Sequence, residues 1–295
     1  MSNCKSTKVF GLIGKHVDYS WSPLIHNTAF KTLGLPCVYT IFNIPSPELL
    51  EEALRGSLAL GIAGFNVTIP FKKTVVPLLD ELSPDARTIG AVNTIVNDNG
   101  RLKGYNTDIE GFASPLLPFA ETIRNKPVCI FGSGGAALAA LEAFRLQFSP
   151  SVVLLMVRDT QKAEKMLEEY EYRDLVILCR DRESNRPSCC NLIRDCRVIV
   201  NATPVGTAGR ADTIHKILTN GNKLLHEGQI VYDMVYNPLE TPLIEHARSV
   251  GAITIPGIEM LIAQATRSFS IWTGHEFPLE AVRHTVMTEI AKNVE

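Results

Sequence analysis

The sequence lacks a strong excess of charge of either sign and any long apolar run. Its 29 basic residues nearly balance its 31 acidic residues, and a net charge of -2 offers no electrostatic surface for nucleic acid or an anionic membrane. No stretch approaches the roughly 18 to 20 apolar residues that cross a bilayer. The first residues lack the apolar core and cleavage site of a secretory signal. We therefore expect a cytoplasmic protein whose partner is a small molecule.

The sequence also lacks the paired cysteine spacing of disulfide frameworks and zinc sites. Its 7 cysteines include no CxxC pair; they are Cys4, Cys37, Cys129, Cys179, Cys189, Cys190 and Cys196. The last three form a cluster with no histidine close to it in sequence. Reduced thiols are the simplest interpretation, and a metal site is the weaker alternative. We predict no metal centre.

Short β-rich runs alternate with segments of helical spacing in two sets, a pattern typical of sheets covered by helices. A length of 295 residues is sufficient for two domains. The first set predicts strands over 8–13, 38–42, 62–68, 91–97 and 102–105, and helices over 23–33, 47–58 and 70–79. The second set predicts strands over 127–132, 152–157, 175–179, 198–202 and 230–234, and helices over 136–146, 258–272 and 278–293. Asp98-Asn99-Gly100 is a hairpin signal. The predicted fold class is α/β with two domains.

A glycine-rich turn opens the second set. The segment GSGGAA (132–137) satisfies G-x-G-x-x-A between a predicted strand and a predicted helix, which is the context that the motif requires. Gly132 permits the tight turn, Gly134 lets backbone N–H groups approach a pyrophosphate, and Ala137 allows close helix packing. The sequence therefore predicts dinucleotide binding here, against the alternative of a structural turn. The predicted contacts are Gly132, Ser133, Gly134, Gly135 and Ala136.

Two residues after the second strand of this set affect the choice of cofactor. Arg158 follows the apolar run 152–157, and a guanidinium there would pair with the 2′-phosphate of NADP. The carboxylate of Asp159 would either hold the ribose 2′-hydroxyl of NAD or accept an N–H group in the turn. A solvated pair of these two side chains is the alternative without a ligand. We predict NADP as the cofactor, with NAD as the alternative.

Four polar islands interrupt the first half where predicted strands end. They are 19–22, 66–73, 90–94 and 106–108. Ligands bind at the carboxyl ends of strands in α/β sheets, and the hydroxyls, amide, ammonium and carboxylate of these islands suit a small polyhydroxylated acid. Each island also has a structural interpretation. Ser22 and Asp108 would be caps, and Asn93 a turn residue. Lys72 and Lys73 would be solvated side chains.

At these islands the sequence resembles a known family. The resemblance rests on SWSPLIHN (20–27), GFNVTIPFK (64–72), GAVNT (90–94), GYNTD (104–108), GSGGAA (132–137), NATPVG (201–206), DMVYNPLETPL (233–243) and PGIEMLIAQA (256–265). In this order, and over nearly the whole chain, these blocks resemble the shikimate dehydrogenase family, including shikimate/quinate 5-dehydrogenases. The chain departs from the family's frequent pattern at Leu138, where many NADP-dependent members carry an arginine, and at 157–159, where Val-Arg-Asp replaces Asn-Arg-Thr.

The resemblance implies an N-terminal α/β substrate domain and a Rossmann-type dinucleotide-binding domain, separated by a cleft. The substrate domain would comprise 1–112 plus 262–295, and the dinucleotide domain 113–261. Lys72 and Asp108 would be the catalytic pair. The implied substrate contacts are Ser20, Ser22, Thr68, Asn93, Thr107, Tyr236 and Gln264. The implied cofactor contacts beyond the glycine turn and 158–159 are Asn201, Thr203, Met234 and Gly257.

The implied activity is an NAD(P)-dependent interconversion of shikimate and 3-dehydroshikimate, with quinate and 3-dehydroquinate as a second couple left open. Hydride transfer to a ring ketone leaves negative charge on the oxygen. A protonated Lys72 stabilises that charge and delivers the proton, while Asp108 orients the ammonium and shares its proton. Two alternatives stay open: a quinate-preferring NAD-dependent dehydrogenase, and a non-catalytic ligand-sensing regulator that would not need this pair.

Overall fold

The computed structural model describes residues 6–169, 175–180, 187–212, 215, 218 and 224–292. The chain forms two compact units: unit 1 comprises Met1–Thr107 with Gln264–Glu295, and unit 2 comprises Asp108–Ala263. The functional division at 112/113 and 261/262 stays a prediction. Cys4, the side chain of Cys189 and the last residue of the helix predicted over 278–293 lie outside the described part of the chain.

Strands and helices alternate along the described chain. The strands are β1 (Lys8–Gly14), β2 (Cys37–Asn43), β3 (Gly64–Val67), β4 (Glu81–Leu82), β5 (Thr94–Asp98), β6 (Arg101–Tyr105), β7 (Pro127–Phe131), β8 (Val152–Val157), β9 (Val176–Arg180), β10 (Val198–Asn201), β11 (Ile230–Asp233) and β12 (Ile253–Pro256). The α-helices are α1 (Ser22–Thr32), α2 (Leu50–Ala59), α3 (Phe71–Thr74), α4 (Pro84–Ile89), α5 (Asp108–Ala113), α6 (Ala120–Ile123), α7 (Gly135–Ala143), α8 (Thr160–Glu169), α9 (Pro187–Asp195), α10 (Pro242–Ser249), α11 (Gly257–Thr273) and α12 (Leu279–Lys292).

Unit 1 contains a mixed sheet in the order β2-β1-β3-β5-β6-β4. β1 pairs in parallel with β2 and β3, whereas β5 is antiparallel to both β3 and β6. The predicted hairpin is confirmed, because Asp98 pairs with Arg101 and the two turn residues Asn99 and Gly100 have φ of 53° and 89°, as a type I′ turn requires. Phe65 on β3 and Ile95 on β5 point into the buried core of unit 1.

The helix predicted over 70–79 is wrong in its length. α3 ends at Thr74, and a separate 3-10 turn follows at Val76–Leu78. Pro77 explains the break, because proline has no amide hydrogen for an α-helix and disfavours helical geometry in the residue before it. The short helix is nevertheless fixed in place, because Phe71 is fully buried in the core of unit 1.

Unit 2 contains a parallel sheet in the order β12-β11-β10-β7-β8-β9. In order of sequence within the unit, this is the 3-2-1-4-5-6 arrangement of dinucleotide-binding folds. Its strands β7, β8, β10 and β11 are almost entirely buried, as expected for a parallel sheet covered on both faces. The predicted α/β class with a Rossmann-type sheet is confirmed. Within the described residues, no helix combines the length and the apolar character that crossing a membrane requires.

Candidate active site

The serine pair lies at the start of α1. Ser20 Oγ donates to Ser22 Oγ at 3.1 Å and accepts the Ser22 N–H at 3.2 Å. The capping position is occupied by Trp21, whose side chain makes no capping hydrogen bond. The alternative that Ser22 is the N-cap is therefore wrong. Ser22 is the first residue of the helix and is buried, with its hydroxyl turned to the partner serine.

Thr68 and Lys72 follow the end of β3. The Thr68 N–H donates to Ile13 O at 2.9 Å, which continues the line of β1 and β3 beyond the last paired residue. The backbone of Lys72 is also held in place, because Lys72 O accepts the Val92 N–H at 2.8 Å. Lys72 is half-buried, whereas its neighbour Lys73 is exposed. The solvated interpretation therefore fits Lys73 better than Lys72.

Asn93 and Thr107 form a buried pair. Asn93 Nδ2 donates to Thr107 Oγ1 at 3.0 Å, and Asn93 Oδ1 accepts the Thr107 N–H at 2.8 Å. Both residues are at most 2% exposed. Thr107 Oγ1 also lies 3.5 Å from Gln264 Oε1 on α11. Three of the predicted substrate contacts, Asn93, Thr107 and Gln264, therefore lie together. The bonds from Asn93 to Thr107 also agree with the alternative that Asn93 stabilises the backbone.

A second layer of buried polar residues supports this pair. The polar islands 66–73 and 90–94 include Asn66 and Thr94 without a role for either, and the sequence analysis missed Tyr39 and Ser268. Asn66 Nδ2 lies within hydrogen-bond distance of Thr94 Oγ1 at 3.1 Å and of Ser268 Oγ at 3.0 Å. Asn66 Oδ1 accepts the hydroxyl of Tyr39 at 2.8 Å. The signal that could have revealed Ser268 is its spacing, because it lies four residues after Gln264 on one helical face.

His26 stacks on this layer. Its ring lies 4.5 Å from the ring of Tyr39 with an interplanar angle of 17°. Burial lowers the pKa of His26 to about 3, so its imidazole is neutral at physiological pH. The side chain therefore contributes an aromatic surface and no positive charge to the core of unit 1.

Asp108 is the first residue of α5 in unit 2 and is 7% exposed. The helix is anchored by Phe112, whose ring stacks on Tyr232 at 4.9 Å with an interplanar angle of 6°. Because Asp108 and Lys72 belong to different units, their pairing stays a prediction.

The glycine turn in unit 2 has the geometry that its motif predicts. Gly132 has φ of 119°, and an added Cβ would lie 3.0 Å from Ala202 O. Around Gly134 and Gly135, by contrast, no neighbouring atom lies within 4 Å of an added Cβ. α7 begins at Gly135, and Ala137 is buried against the unit. The start of this nine-residue helix is therefore open on the side of its first backbone amides.

Arg158 and Asp159 follow β8. Asp159 Oδ1 accepts the Lys162 N–H at 3.0 Å, as a residue capping α8 does. The turn interpretation of Asp159 is therefore seen in the structure. Arg158 is exposed and makes no hydrogen bond or ion pair to the described residues. Nearby, Arg180 Nη2 donates to Thr160 Oγ1 at 3.3 Å.

Asn201 and Thr203 are engaged within unit 2. Asn201 Nδ2 donates to Val205 O at 2.9 Å and to Asp233 Oδ1 at 2.8 Å, while Asn201 Oδ1 accepts the Thr203 hydroxyl at 2.7 Å. Burial raises the pKa of Asp233, and its hydrogen bonds to Thr241, Val235 N–H and Asn201 act in the opposite direction. These side chains shape the turn after β10, and their contact with a cofactor stays a prediction.

Met234 and Gly257 are adjacent in unit 2. An added Cβ on Gly257 would lie 2.5 Å from Met234 O and 2.6 Å from Val235 O, so only glycine fits at the start of α11. Tyr236 is half-buried in the same loop. The predicted residues at this end of the cofactor site are therefore close together in the backbone.

Cys129, Cys179 and Cys196 are part of the buried core of unit 2. Burial raises the pKa of the Cys129 thiol and raises that of Cys196 to about 12, so both stay protonated. Among the described residues, no group of three or more His, Cys, Asp or Glu side chains is arranged to hold a metal ion.

Two family models match the chain. One is described as the shikimate dehydrogenase substrate binding domain and matches residues 12–95. The other is described as the shikimate 5′-dehydrogenase C-terminal domain and matches residues 257–287. The first match includes Asn66, Asn93 and Thr94, and the second includes Gln264 and Ser268.

Full-length relatives and solved structures show the same likeness. The shikimate dehydrogenase (NADP(+)) of Chlorobaculum tepidum is 74% identical over 293 residues, which cover 99% of each chain. A shikimate 5-dehydrogenase from Thermus thermophilus, solved with NADP(H) and shikimate, is 30% identical with a TM-score of 0.78 over 96% of this chain and 99% of that one. A quinate dehydrogenase from Corynebacterium glutamicum, solved with NAD, is 30% identical with a TM-score of 0.85 over 96% and 99%.

Proposed function

This chain belongs to the shikimate dehydrogenase family, and we propose that it interconverts shikimate and 3-dehydroshikimate by hydride transfer with NADP. The observation that carries the proposal is the cluster of the buried Asn93 and Thr107 with the half-buried Gln264, which gathers hydroxyl and amide groups in unit 1. A polyhydroxylated acid needs such mixed donors and acceptors. The likeness to an NADP(+) enzyme at 74% identity supports the same substrate and cofactor.

The substrate-binding residues divide by their chemistry. Ser20 and Ser22 offer two adjacent hydroxyls, and we assign them to the substrate carboxylate. The remaining groups are assigned to the hydroxyls and the carboxylate end of the ring: Thr68, Asn93, Thr107, Tyr236 and Gln264. Hydroxyl and amide side chains of this kind reject analogues that lack a matching group, because a buried polar group would otherwise lose its partner.

Lys72 and Asp108 are the proposed acid–base pair. In the direction of ketone reduction, the oxygen gains negative charge as hydride reaches its carbon, and the ammonium of Lys72 stabilises that charge and donates a proton. Asp108 orients the ammonium and stabilises its positive charge. In the direction of alcohol oxidation the same proton returns to Lys72. The buried Phe71 beside Lys72 anchors the short helix that carries Lys72.

The glycine turn and Arg158 are the proposed NADP contacts. The fit is supported by the open space at Gly134 and Gly135, where backbone amides at a helix start can receive an anion. Arg158 is exposed at the end of β8. Asp159, by contrast, already accepts the Lys162 N–H and is therefore less suited to hold the ribose 2′-hydroxyl of NAD. NADP supplies the hydride acceptor when it is bound. The proposed set is completed by Ser133, Ala136, Asn201, Thr203, Met234 and Gly257.

The alternatives are less well supported. The quinate dehydrogenase solved with NAD is 30% identical to this chain, against 74% for the shikimate dehydrogenase (NADP(+)) of Chlorobaculum tepidum. A regulator would not require Lys72 or Asp108, and both are present.

The cellular location belongs to the same proposal. Cys37, Cys129 and Cys196 carry free thiols. Reduced thiols are typical of the cytoplasm, and we propose a cytoplasmic enzyme. Fractionation of the native cell, with activity followed in each fraction, tests this location.

The function is tested by steady-state assays at 340 nm with shikimate or quinate and NADP or NAD. We expect the highest kcat/KM with shikimate and NADP. Replacing Lys72 with alanine lowers kcat by about 10²- to 10⁴-fold, because a positioned acid–base group contributes that much. Lys73→Ala is the matched control, since Lys73 is exposed on the same short helix, and its kcat stays at the wild-type value.

Two results would contradict the proposal. A wild-type protein that reduces neither cofactor with either substrate would not be a dehydrogenase of this kind. Equal losses in Lys72→Ala and Lys73→Ala would show that the effect comes from the charge of the helix, without a specific proton transfer at Lys72.

A further inference from the structure

Ser268 is a polar residue on the buried face of α11. It is fully buried and is flanked on that face by the buried residues Ala265 and Phe269. Its hydroxyl donates to Gln264 O at 3.0 Å, which ties it to the turn that carries Gln264. A fully buried hydroxyl needs partners, because an unsatisfied one costs free energy. The other partners of Ser268 identify its role.

Those partners come from three other segments of unit 1. Ser268 Oγ lies 3.0 Å from Asn66 Nδ2 on β3, 2.8 Å from Thr94 Oγ1 on β5 and 3.3 Å from Thr107 Oγ1 after β6. A single hydroxyl can donate one hydrogen bond and accept two, so these three neighbours and Gln264 O together offer more partners than it can bond at one time, and its capacity is filled. Ser268 therefore bonds α11 to the strand ends of the sheet.

The proposed substrate contacts surround this point. Thr107 Oγ1 contacts Asn93 at 3.0 Å and Gln264 at 3.5 Å, and Thr94 Oγ1 contacts Asn93 Oδ1 at 3.1 Å. A hydrogen-bond network in a dry interior holds its members in fixed orientations, because water cannot replace a lost partner. A shift of Ser268 would change the spacing between Thr107 and Gln264.

We propose that Ser268 is a positioning residue for substrate recognition: its hydroxyl holds Thr107 and Gln264 at the spacing that binds the hydroxyls of shikimate. This inference rests on the proposed function. Ser268 does not touch the reacting atoms, so it acts on the affinity for shikimate and leaves the proton transfer at Lys72 and the affinity for NADP unaffected.

Ser270 provides a matched control on the same helix. Its hydroxyl donates to Thr266 O at 3.1 Å, the same four-residue backbone bond that Ser268 makes to Gln264. Within the part of the chain that the structure describes, Ser270 makes no side-chain bond to another element. Replacing either serine with alanine removes one such backbone bond, but only Ser268→Ala removes the contacts to the strand ends.

The test measures kcat and the KM values for shikimate and NADP in full-length variants. In Ser268→Ala we expect the KM for shikimate to rise about fivefold to tenfold, the effect of losing one buried hydrogen bond, with kcat and the KM for NADP within about twofold of wild type. Ser270→Ala should match wild type in all three. Ser268→Cys, a weaker hydrogen-bonding group of similar size, should fall between Ser268→Ala and wild type.

Thr94→Val tests the network from its other side. It removes the 2.8 Å contact to Ser268 without changing side-chain shape. If both hydroxyls act through one network, the double variant Ser268→Ala/Thr94→Val raises the KM for shikimate by less than the product of the two single effects. Should Ser268→Ala not fold, Ser268→Cys and Thr94→Val carry the same test.

The outcomes separate this inference from the function on which it rests. An unchanged KM for shikimate in Ser268→Ala, or equal rises in the KM values for shikimate and NADP, would overturn the positioning role. An inactive wild-type protein would refute the proposed function and this inference with it. An active wild type with Ser268→Ala equal to Ser270→Ala would refute this inference alone.

Discussion

Replacing Gly134 with alanine tests whether the glycine turn binds the cofactor without disturbing its fold. Gly134 has φ of −93° and ψ of −173°, an extended conformation that alanine adopts without strain. No neighbouring atom lies within 4 Å of the added Cβ. We therefore expect the free energy of unfolding to stay the same or to rise by about 0.4 to 1 kcal/mol, because alanine reduces the conformational freedom of the unfolded chain.

The same methyl group occupies the space through which a pyrophosphate would reach the first amides of α7. A hydrogen bond to a charged group contributes about 1.5 to 3 kcal/mol, so losing one lowers the affinity for NADP about 10- to 100-fold. The affinity is measured by calorimetric titration of NADP, and the stability by urea unfolding without ligand.

Two other glycines serve as controls. Gly56 is exposed in α2 of unit 1 and has no neighbouring atom within 4 Å of an added Cβ, so Gly56→Ala stabilises the fold and leaves the affinity for NADP unchanged. Gly132→Ala destabilises the fold, because φ of 119° and the nearby Ala202 O oppose a side chain. If Gly134→Ala binds NADP with wild-type affinity, the assignment of this turn to the pyrophosphate is refuted.

Two further predictions concern buried ionisable groups. The pKa of His26 is lowered by burial to about 3 in the folded protein, against 6.5 in the unfolded chain. As the pH falls from about 6.5 to 3, the unfolded state binds this proton first, and the free energy of unfolding falls by up to about 1.4 kcal/mol per pH unit. His26→Phe should reduce this dependence on pH, measured by urea unfolding between pH 7 and 4. An unchanged dependence would contradict the lowered pKa of His26. Asp233→Ala should lower the free energy of unfolding by about 3 kcal/mol, because Asn201, Thr241 and the Val235 N–H lose their acceptor. A loss below about 1 kcal/mol would show that water replaces the carboxylate as the acceptor.

The sequence predicted the local features that glycine and asparagine in left-handed backbone conformations determine. The turn at Gly132 and the hairpin at Asn99 were both identified, because each requires a backbone conformation that few residues adopt. The helix predicted over 70–79 was too long, since the helical spacing of its apolar residues outweighed the effect of Pro77 in the prediction. A proline inside an apolar pattern deserves the greater weight.

The second layer of the polar cluster was missed for a different reason. Ser268 lies in an apolar helix, whereas Asn66 opens the polar island 66–73 at the end of a buried strand, and neither pattern marks the two as neighbours. Their contact spans 202 positions of sequence, and only the packing of α11 against the sheet reveals it. The pairing of Lys72 with Asp108 came from the family resemblance and could not be derived from spacing.

A double-mutant cycle of Lys72→Ala and Asp108→Ala tests the central claim most directly, because it measures whether the two side chains act as one acid–base unit. The measured quantity is kcat/KM for shikimate with saturating NADP. We predict that the double variant is no slower than Lys72→Ala alone, since removing the proton donor leaves Asp108 with nothing to orient. Losses that multiply in the double variant would show that the residues act independently and would contradict the proposed pair.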